Sequence, residues 1–219
     1  MTLQQLIDAF RWEANDSGKP CFWTNPVLAQ LASEGEREAC RRGQYITDST
    51  HSMCSLDVVP GEPLMELDKR IVSLRRVRLA LGSAPLLPIA SDALDLLHGA
   101  QWESHTGTPS LYVTDYQHRC IRLYPSPSVA DTLFLSVHRM PLADLVNDDD
   151  EPEIRYEAHP ALVQWMLYRA YARQDADTFD PQKSLRALAE FEREFGKKVS
   201  ARNEEWARAG APIEFSPIA

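Results

Sequence analysis

The stretch that most limits what this chain can fold into is residues 157–180, EAHPALVQWMLYRAYARQDADTFD. Pro160 stands where a proline suits a helix best, because its missing N–H has no intrahelical partner in the first turn. The apolar residues behind it cover more than one helix face: Leu162, Val163, Trp165, Met166, Leu167, Ala170 and Tyr171. A helix apolar over that much of its circumference is buried on several sides. The sequence therefore predicts a helical bundle with this helix at its centre.

Two further helices are predicted at the N-terminal end of the chain. Thr2 and Gln5 form a capping box before a helix over residues 2–14. The second helix, residues 25–43, begins with Asn25 as its cap and Pro26 at its first position. Its buried stripe contains small residues that let another helix approach closely: Ala32, Gly35 and Ala39.

The last predicted helix covers residues 181–209, with Asp180 as its cap and Gly210 at its end. Its apolar seam has helical spacing: Leu185, Leu188, Phe191, Phe195, Val199 and Trp206. The tail that follows, residues 210–219, has two prolines and the large apolar side chains of Ile213, Phe215 and Ile218. Such a tail is expected to be extended and to gain order on a partner, the alternative being a frayed terminus.

The hydrophobic pattern changes to alternation between residues 44 and 141. Several short runs follow one another at about ten-residue spacing and are separated by turn formers, which predicts an antiparallel β-sandwich or small barrel. Pro60-Gly61 between two such runs predicts a hairpin. The chain is therefore predicted to be α+β, with a helical bundle from residues 1–43 and 155–209, an inserted β-domain at 44–141, an acidic linker at 142–154 and an extended tail at 210–219.

The charge of the chain argues against a dedicated nucleic-acid binder, since the net charge is −9 and the sequence pI about 5.2. The single basic cluster is Lys69, Arg70, Arg75, Arg76 and Arg78. It is interpreted as the charged outer face of a strand or a contact to an acidic neighbouring subunit, with a nucleic-acid or other acidic partner as the alternative. The acidic run at 148–151 lacks calcium-loop spacing, so a solvated linker is favoured over a metal site.

No catalytic, cofactor-binding or metal-binding residues are predicted. The six histidines include no pair at i, i+4, and no nucleophile motif or glycine-rich phosphate loop occurs. The four cysteines form no C-x-x-C pair, which is typical of reduced thiols. With no apolar run of membrane-spanning length and no signal peptide at the N-terminus, the chain is expected to be made and folded in a cytoplasm.

An ordered set of short motifs covers about residues 1–205. It starts with LQQLIDAFRWEAND and NPVLAQLASEGEREACRRGQYITD and continues with the sheet segment at 64–71. Trp102, Gly107-Thr108-Pro109 and Tyr112 come next, then IRLYPSP at 121–127 and VHRMPL at 137–142. Acidic PEI at 152–154 and the helix to RQDAD at 173–177 complete the order. In this order the chain resembles the head–tail connector (adaptor) proteins of tailed bacteriophages, the group that includes podovirus tail tubular protein A.

The resemblance implies a structural protein of the virion neck or tail, assembled in the host cytoplasm. Such adaptors dock as a ring, typically a dodecamer, beneath the portal protein, extend the DNA channel and carry the next tail component, a nozzle or tail tube protein. The double-stranded DNA would pass without specific binding, and no membrane or cofactor is implied. The fold implied is a bundle of both termini with a β-domain.

Two sets of residues are predicted to make the contacts of this role. Ile213, Phe215 and Ile218 in the tail are candidates for docking to the portal. The excess apolar surface of the central helix, Trp165, Tyr168 and Tyr171, is a candidate for packing against a neighbouring subunit. The alternative function is a carbohydrate- or receptor-binding tail accessory protein, which would use exposed aromatics of the β-domain: Trp102, Tyr112, Tyr116 and Tyr124.

Overall fold

A computed structural model describes residues 1–18, 20–82, 84–174 and 178–198. The chain divides into two compact units. The helical unit consists of Met1–Ile46 and Arg139–Lys198, and the described part of the β unit is Thr47–His138. Within the described residues, the chain therefore leaves the helical unit once and returns to it once.

The described residues form five α-helices: α1 (Leu3–Ala14), α2 (Asn25–Gly43), α3 (Ser91–His98), α4 (His159–Tyr171) and α5 (Pro181–Phe195). All except α3 belong to the helical unit. α4 contacts each of the other three helices, and its apolar residues form one core cluster with theirs. The predicted central position of this helix is confirmed.

The N-terminal helices begin largely as their sequences predict. Thr2 Oγ1 accepts from the Gln5 main-chain N–H at 3.3 Å, and Gln5 Oε1 accepts from the Thr2 N–H at 3.0 Å, so the capping box is confirmed. The cap of α2 is Thr24 instead of Asn25. The predicted cap is displaced because Asn25 Oδ1 accepts a hydrogen bond from Arg11 at 2.7 Å.

A buried carboxylate organises the loop between α1 and α2. Asp16 is 2% exposed and pairs with the Arg11 guanidinium at 2.8 Å. Its other oxygen accepts from the Phe22 main-chain N–H at 2.8 Å. The charge is therefore both paired and hydrogen-bonded, as a buried carboxylate must be.

Close packing of α2 on α4 depends on Gly35. A Cβ atom at this position would lie 3.1 Å from Cβ and Cδ1 of Trp165. The small residue leaves room for an indole ring between the helices, and the predicted close approach is confirmed.

α5 is shorter than its sequence pattern predicts. Asp180 Oδ1 caps it by accepting from the Gln182 and Lys183 main-chain N–H groups, as predicted. The helix ends at Phe195 because Gly196 takes a positive φ of 84°, so the prediction of a helix continuous to residue 209 is wrong. Leu185, placed in the predicted seam, is 65% exposed. The buried face is Ser184, Ala187, Phe191 and Phe195.

The described residues form ten strands: β1 (Ile46–Asp48), β2 (Ser55–Val58), β3 (Leu64–Glu66), β4 (Ile71–Leu79), β5 (Pro85–Ile89), β6 (Thr106–Gly107), β7 (Leu111–Val113), β8 (Cys120–Tyr124), β9 (Ser126–Pro127) and β10 (Asp131–Arg139). The main sheet has the order β1-β10-β4-β5-β7-β8-β3, and β2 also pairs with β10. β6 and β9 form a separate two-stranded sheet. A mostly antiparallel, curled sheet results, so the predicted α+β class with a helical bundle and a barrel-like β-domain is confirmed.

The predicted hairpin across Pro60-Gly61 is wrong. β2 pairs with β10, while β3 pairs with β8 near the other edge of the sheet. The turn is real, since Gly61 has a φ of 79°, but its N–H donates to the carbonyl of Pro127 at 2.8 Å. β5 and β7 run parallel, and their connection contains α3. Long-range partners therefore decide the pairing of these short strands.

Candidate functional site

The aromatic residues predicted for subunit packing lie at different depths of the helical unit. Trp165 is 6% exposed, and its ring packs against Tyr168 and Phe191 with centroids 5.2 and 4.9 Å away. Tyr171 is 8% exposed and meets Trp23 edge-on at 5.8 Å. Tyr168 is half-buried. The first and last side chains fill the core of their own chain, so Tyr168 has the most accessible ring of the three, and a contact with a neighbouring subunit stays a prediction.

The predicted portal-docking residues Ile213, Phe215 and Ile218 lie outside the described residues. The last described segment, residues 196–198, follows Gly196 at the end of α5. Its position is set by Arg42, which donates from Nη1 to the Gly196 carbonyl at 3.0 Å. The chain just after α5 is therefore tied to the C-terminal end of α2.

Arg42 is a residue of this site that the sequence reasoning missed. Its guanidinium lies 2.9 Å from Glu38 and 3.5 Å from Glu192. It also stacks over the rings of Trp165 and Phe191, 5.6 and 5.2 Å from their centroids. The i, i+4 spacing from Glu38 was the available signal, but such pairs usually lie in solvent. This arginine instead joins α2, α4 and α5.

Glu36 is a second residue that the sequence reasoning missed, and it attaches α2 to the acidic segment, residues 142–154. It is 1% exposed, and its carboxylate accepts from the main-chain N–H groups of Glu153 and Ile154, the latter at 3.4 Å. Burial raises the pKa of Glu36 from 4.5 to about 7, against the opposing effect of these two hydrogen bonds. Burial also raises the pKa of the nearby Cys40 thiol to about 12, with added repulsion from Glu36. At neutral pH that thiol stays protonated, so the arrangement supports packing and does not supply a nucleophile.

The acidic segment, residues 142–154, is attached to the helices through its backbone and two apolar side chains. The main-chain N–H groups of Leu3 and Gln4 donate to the carbonyls of Asp150 and Asp148, at 2.8 and 3.0 Å. Leu145 and Ile154 are buried in the helical core. The N–H groups at a helix N-terminus have no partner within the helix and carry a partial positive charge. At the start of α1, carbonyls of the acidic segment accept two of these N–H groups, and the negative charge of the segment favours the same end of the helix.

The acidic side chains themselves have different partners. Asp144 pairs with Arg37, and Glu153 pairs with Arg139 at 2.7 Å. Hydrogen bonds from the main-chain N–H groups of Asn147 and Val146 lower the pKa of Asp150. Within the described ranges, no group of three His, Cys, Asp or Glu side chains is placed to hold a metal ion.

The aromatic residues of the alternative, ligand-binding interpretation are mostly interior. Trp102, Tyr112 and Tyr124 are 2%, 4% and 8% exposed. Tyr116 is exposed at the surface, where Arg122 stacks 4.6 Å from its ring centroid. The sheet therefore does not present these four rings together as a platform for a sugar.

A family model described as SU10 adaptor protein matches the sequence over residues 1–213. The chain belongs to the SU10 adaptor protein family. The predicted resemblance to phage adaptor proteins is thereby confirmed, whereas its podovirus detail stays a prediction. No curated protein matches the chain.

Membership of the SU10 adaptor protein family makes this chain a structural adaptor of a phage with a part in tail assembly. The family is one of structural proteins and is not known as an enzyme family. None of the helices in the described residues is long and apolar enough to cross a membrane. The surfaces that matter in this SU10 adaptor are accordingly those available for contacts with other proteins.

Proposed function

We propose that this adaptor docks as a ring beneath the portal protein of a tailed phage, in the neck of the virion. There it extends the DNA channel and provides the platform for the downstream tail component, a nozzle or tail tube protein. Membership of the SU10 adaptor protein family is the observation that carries the proposal. The ring is proposed to be a dodecamer that assembles in the host cytoplasm.

The charge of the chain suits a channel component. A net charge of −9 repels the phosphate backbone, so double-stranded DNA can pass without specific binding. A ring of identical subunits closes through heterologous contacts, in which two different surfaces of one chain meet. We assign Tyr168 to the rim of such a contact, with Trp165 and Tyr171 as the packed layer behind it.

The C-terminal tail is proposed to dock to the portal through Ile213, Phe215 and Ile218. An apolar, proline-containing segment that orders on its partner adds contacts only when docking occurs. Deletion of residues 210–219 is expected to weaken portal binding and leave the fold intact. Portal binding that is unchanged in a pull-down with the truncated protein contradicts this assignment.

Electron microscopy of the protein mixed with its portal tests the function as a whole. We expect a ring stacked coaxially on the portal and visible in class averages. Lone particles that do not join the portal contradict the proposal. Lone particles that also bind to a glycan array would support the carbohydrate-binding alternative instead.

A further inference from the structure

Positive charge is concentrated on β4 and the turn before it. Residues 69–78 contain five cations and no acid. Arg70 pairs with Asp68 at 2.8 Å, and the Arg78 guanidinium stacks 5.2 Å from the ring centroid of Phe134. The remaining cations, Lys69, Arg75 and Arg76, are exposed and have no ion pair within residues 20–82 and the other described ranges. We call these three residues and Arg78, with Phe134 beside Arg78, the basic strand surface.

Negative charge is concentrated in residues 146–151, which we call the acidic loop. Its four acids are Asp148, Asp149, Asp150 and Glu151. Asp150 is occupied with main-chain N–H groups of its own loop. The other three acids are exposed and have no ion pair in the part of the chain that the structure describes.

The acidic loop is held in place before any partner arrives. Its carbonyls accept the first N–H groups of α1, and Ser33 Oγ accepts from the Leu145 N–H at 2.9 Å. A fixed loop loses little conformational entropy on binding, which favours its use in an interface.

The two surfaces complement each other in chemistry as well as in charge. Each has an exposed apolar residue beside its charges: Val146 in the acidic loop is 73% exposed, and Phe134 is 39% exposed. An apolar anchor with charged residues around it is the usual composition of a protein interface. Opposite charges then guide the approach and set the orientation of the two partners. Nucleic acid fits the cations less well, because the net charge of the chain is −9.

We infer that the basic strand surface of one copy of this protein binds the acidic loop of a second copy. Because the two surfaces differ, the contact is heterologous and propagates from subunit to subunit, as ring closure requires. The inference rests on the proposed ring and names the surfaces that form it. It adds a contact independent of Trp165, Tyr168 and Tyr171.

Charge reversal with complementation tests the contact. Arg75→Glu with Arg76→Glu, or Asp148→Lys with Asp149→Lys, is expected to weaken self-association about tenfold or more in sedimentation velocity, since attraction becomes repulsion. An equimolar mixture of the two variants restores association, because each then presents the charge that the other lacks. Arg186→Glu with Arg193→Glu, at exposed positions of α5, changes the net charge by the same amount as Arg75→Glu with Arg76→Glu and serves as the control for that variant. Equal weakening in the control, or no recovery in the mixture, overturns the inference.

Zero-length carbodiimide cross-linking identifies the contact directly. Lys69 is expected to link to an acid of residues 148–151, and mixing of isotopically light and heavy protein shows by mass spectrometry that the link joins two copies. A concentrated sample that yields no such link, and that sediments as a monomer, overturns the inference.

Electron microscopy with the portal separates this inference from the proposed function. Wild-type rings that persist unchanged in Arg75→Glu with Arg76→Glu overturn the contact and leave the ring function standing. Absence of wild-type rings, together with intermolecular cross-links from Lys69, overturns the ring function and supports the contact.

Discussion

The carboxyl group of Glu36 gives the helical unit a specific dependence on pH. Burial holds its pKa at about 7 in the folded chain, compared with 4.5 for an ordinary glutamate. Between these two values the folded protein binds more protons than the unfolded chain. The free energy of unfolding therefore falls as the pH rises through this window, and the contribution is fully present below it.

The size of the effect follows from the pKa difference. A difference of about 2.5 units corresponds to about 3 kcal/mol at about 1.4 kcal/mol per unit. Because Glu36 is 1% exposed, solvent screening reduces this value little. This free energy is a large fraction of the total free energy of unfolding of a typical domain.

Replacement of Glu36 by glutamine tests this reasoning. The amide oxygen can still accept from the main-chain N–H groups of Glu153 and Ile154, but the side chain no longer ionises. We expect Glu36→Gln to resemble the wild type near pH 5 and to exceed its free energy of unfolding by about 3 kcal/mol near pH 8. Urea denaturation followed by tryptophan fluorescence over this pH range measures the difference.

The difference between variant and wild type is the informative quantity, because other groups titrate in the same window. Glu62→Gln, which makes the same substitution at an exposed position of the β unit, is the matched control. Parallel profiles for Glu36→Gln and wild type from pH 5 to 8 would refute the assignment of the raised pKa to Glu36.

Three further substitutions probe the packing of the helical unit, each by the free energy of unfolding in urea. Gly35→Ala places a Cβ 3.1 Å from Trp165, and the cost of this contact, about 1–3 kcal/mol, opposes the roughly 1 kcal/mol by which alanine favours a helix, so a gain in stability of about 1 kcal/mol contradicts the close approach. Asp16→Ala leaves the Arg11 guanidinium without its carboxylate and should cost about 3 kcal/mol, and a loss below about 1 kcal/mol would show that the pair is not buried in solution. Arg42→Lys removes the planar guanidinium that stacks on Trp165 and Phe191 while it pairs with acids of α2 and α5, and should lower the free energy of unfolding by about 2 kcal/mol. A neutral result would contradict its role as a bridge between helices.

Local signals in the sequence predict the starts of α1 and α5 correctly, whereas the cap of α2 is Thr24 and not the predicted Asn25. The reciprocal bonds of Thr2 and Gln5 and the cap at Asp180 involve residues within three positions of each other, so their spacing alone predicts them. The apolar circumference of α4 likewise predicts burial on several sides, whichever helices supply the neighbours. These features depend on short-range geometry.

The features that failed depend on partners distant in sequence. β2 and β3 are separated by a good turn, yet their ladders are made with β10 and β8. The sequence predicts the end of the last helix at Gly210, whereas α5 ends before Gly196, whose carbonyl accepts a hydrogen bond from Arg42 of α2. Glu36 stands in the charged run SEGEREACRRG, typical of a solvated helix face, and only the fold shows that the acidic segment covers it.

The hydrogen bonds from the first turn of α1 to Asp148 and Asp150 also set an order of events during synthesis. The ribosome must deliver almost 150 residues before the N-terminal helix meets the carbonyls that complete its start. Residues 47–138 of the β unit are synthesised earlier, and in their folded form Thr47 Oγ1 lies 3.4 Å from His138 Nδ1. Folding of that unit therefore brings together the two points at which the chain leaves and re-enters the helical unit. The loop between the two parts of the bundle becomes shorter, so the entropic cost of closing it falls. In a nascent chain, folding of the inserted unit therefore brings the N-terminal and C-terminal parts of the helical bundle close to each other.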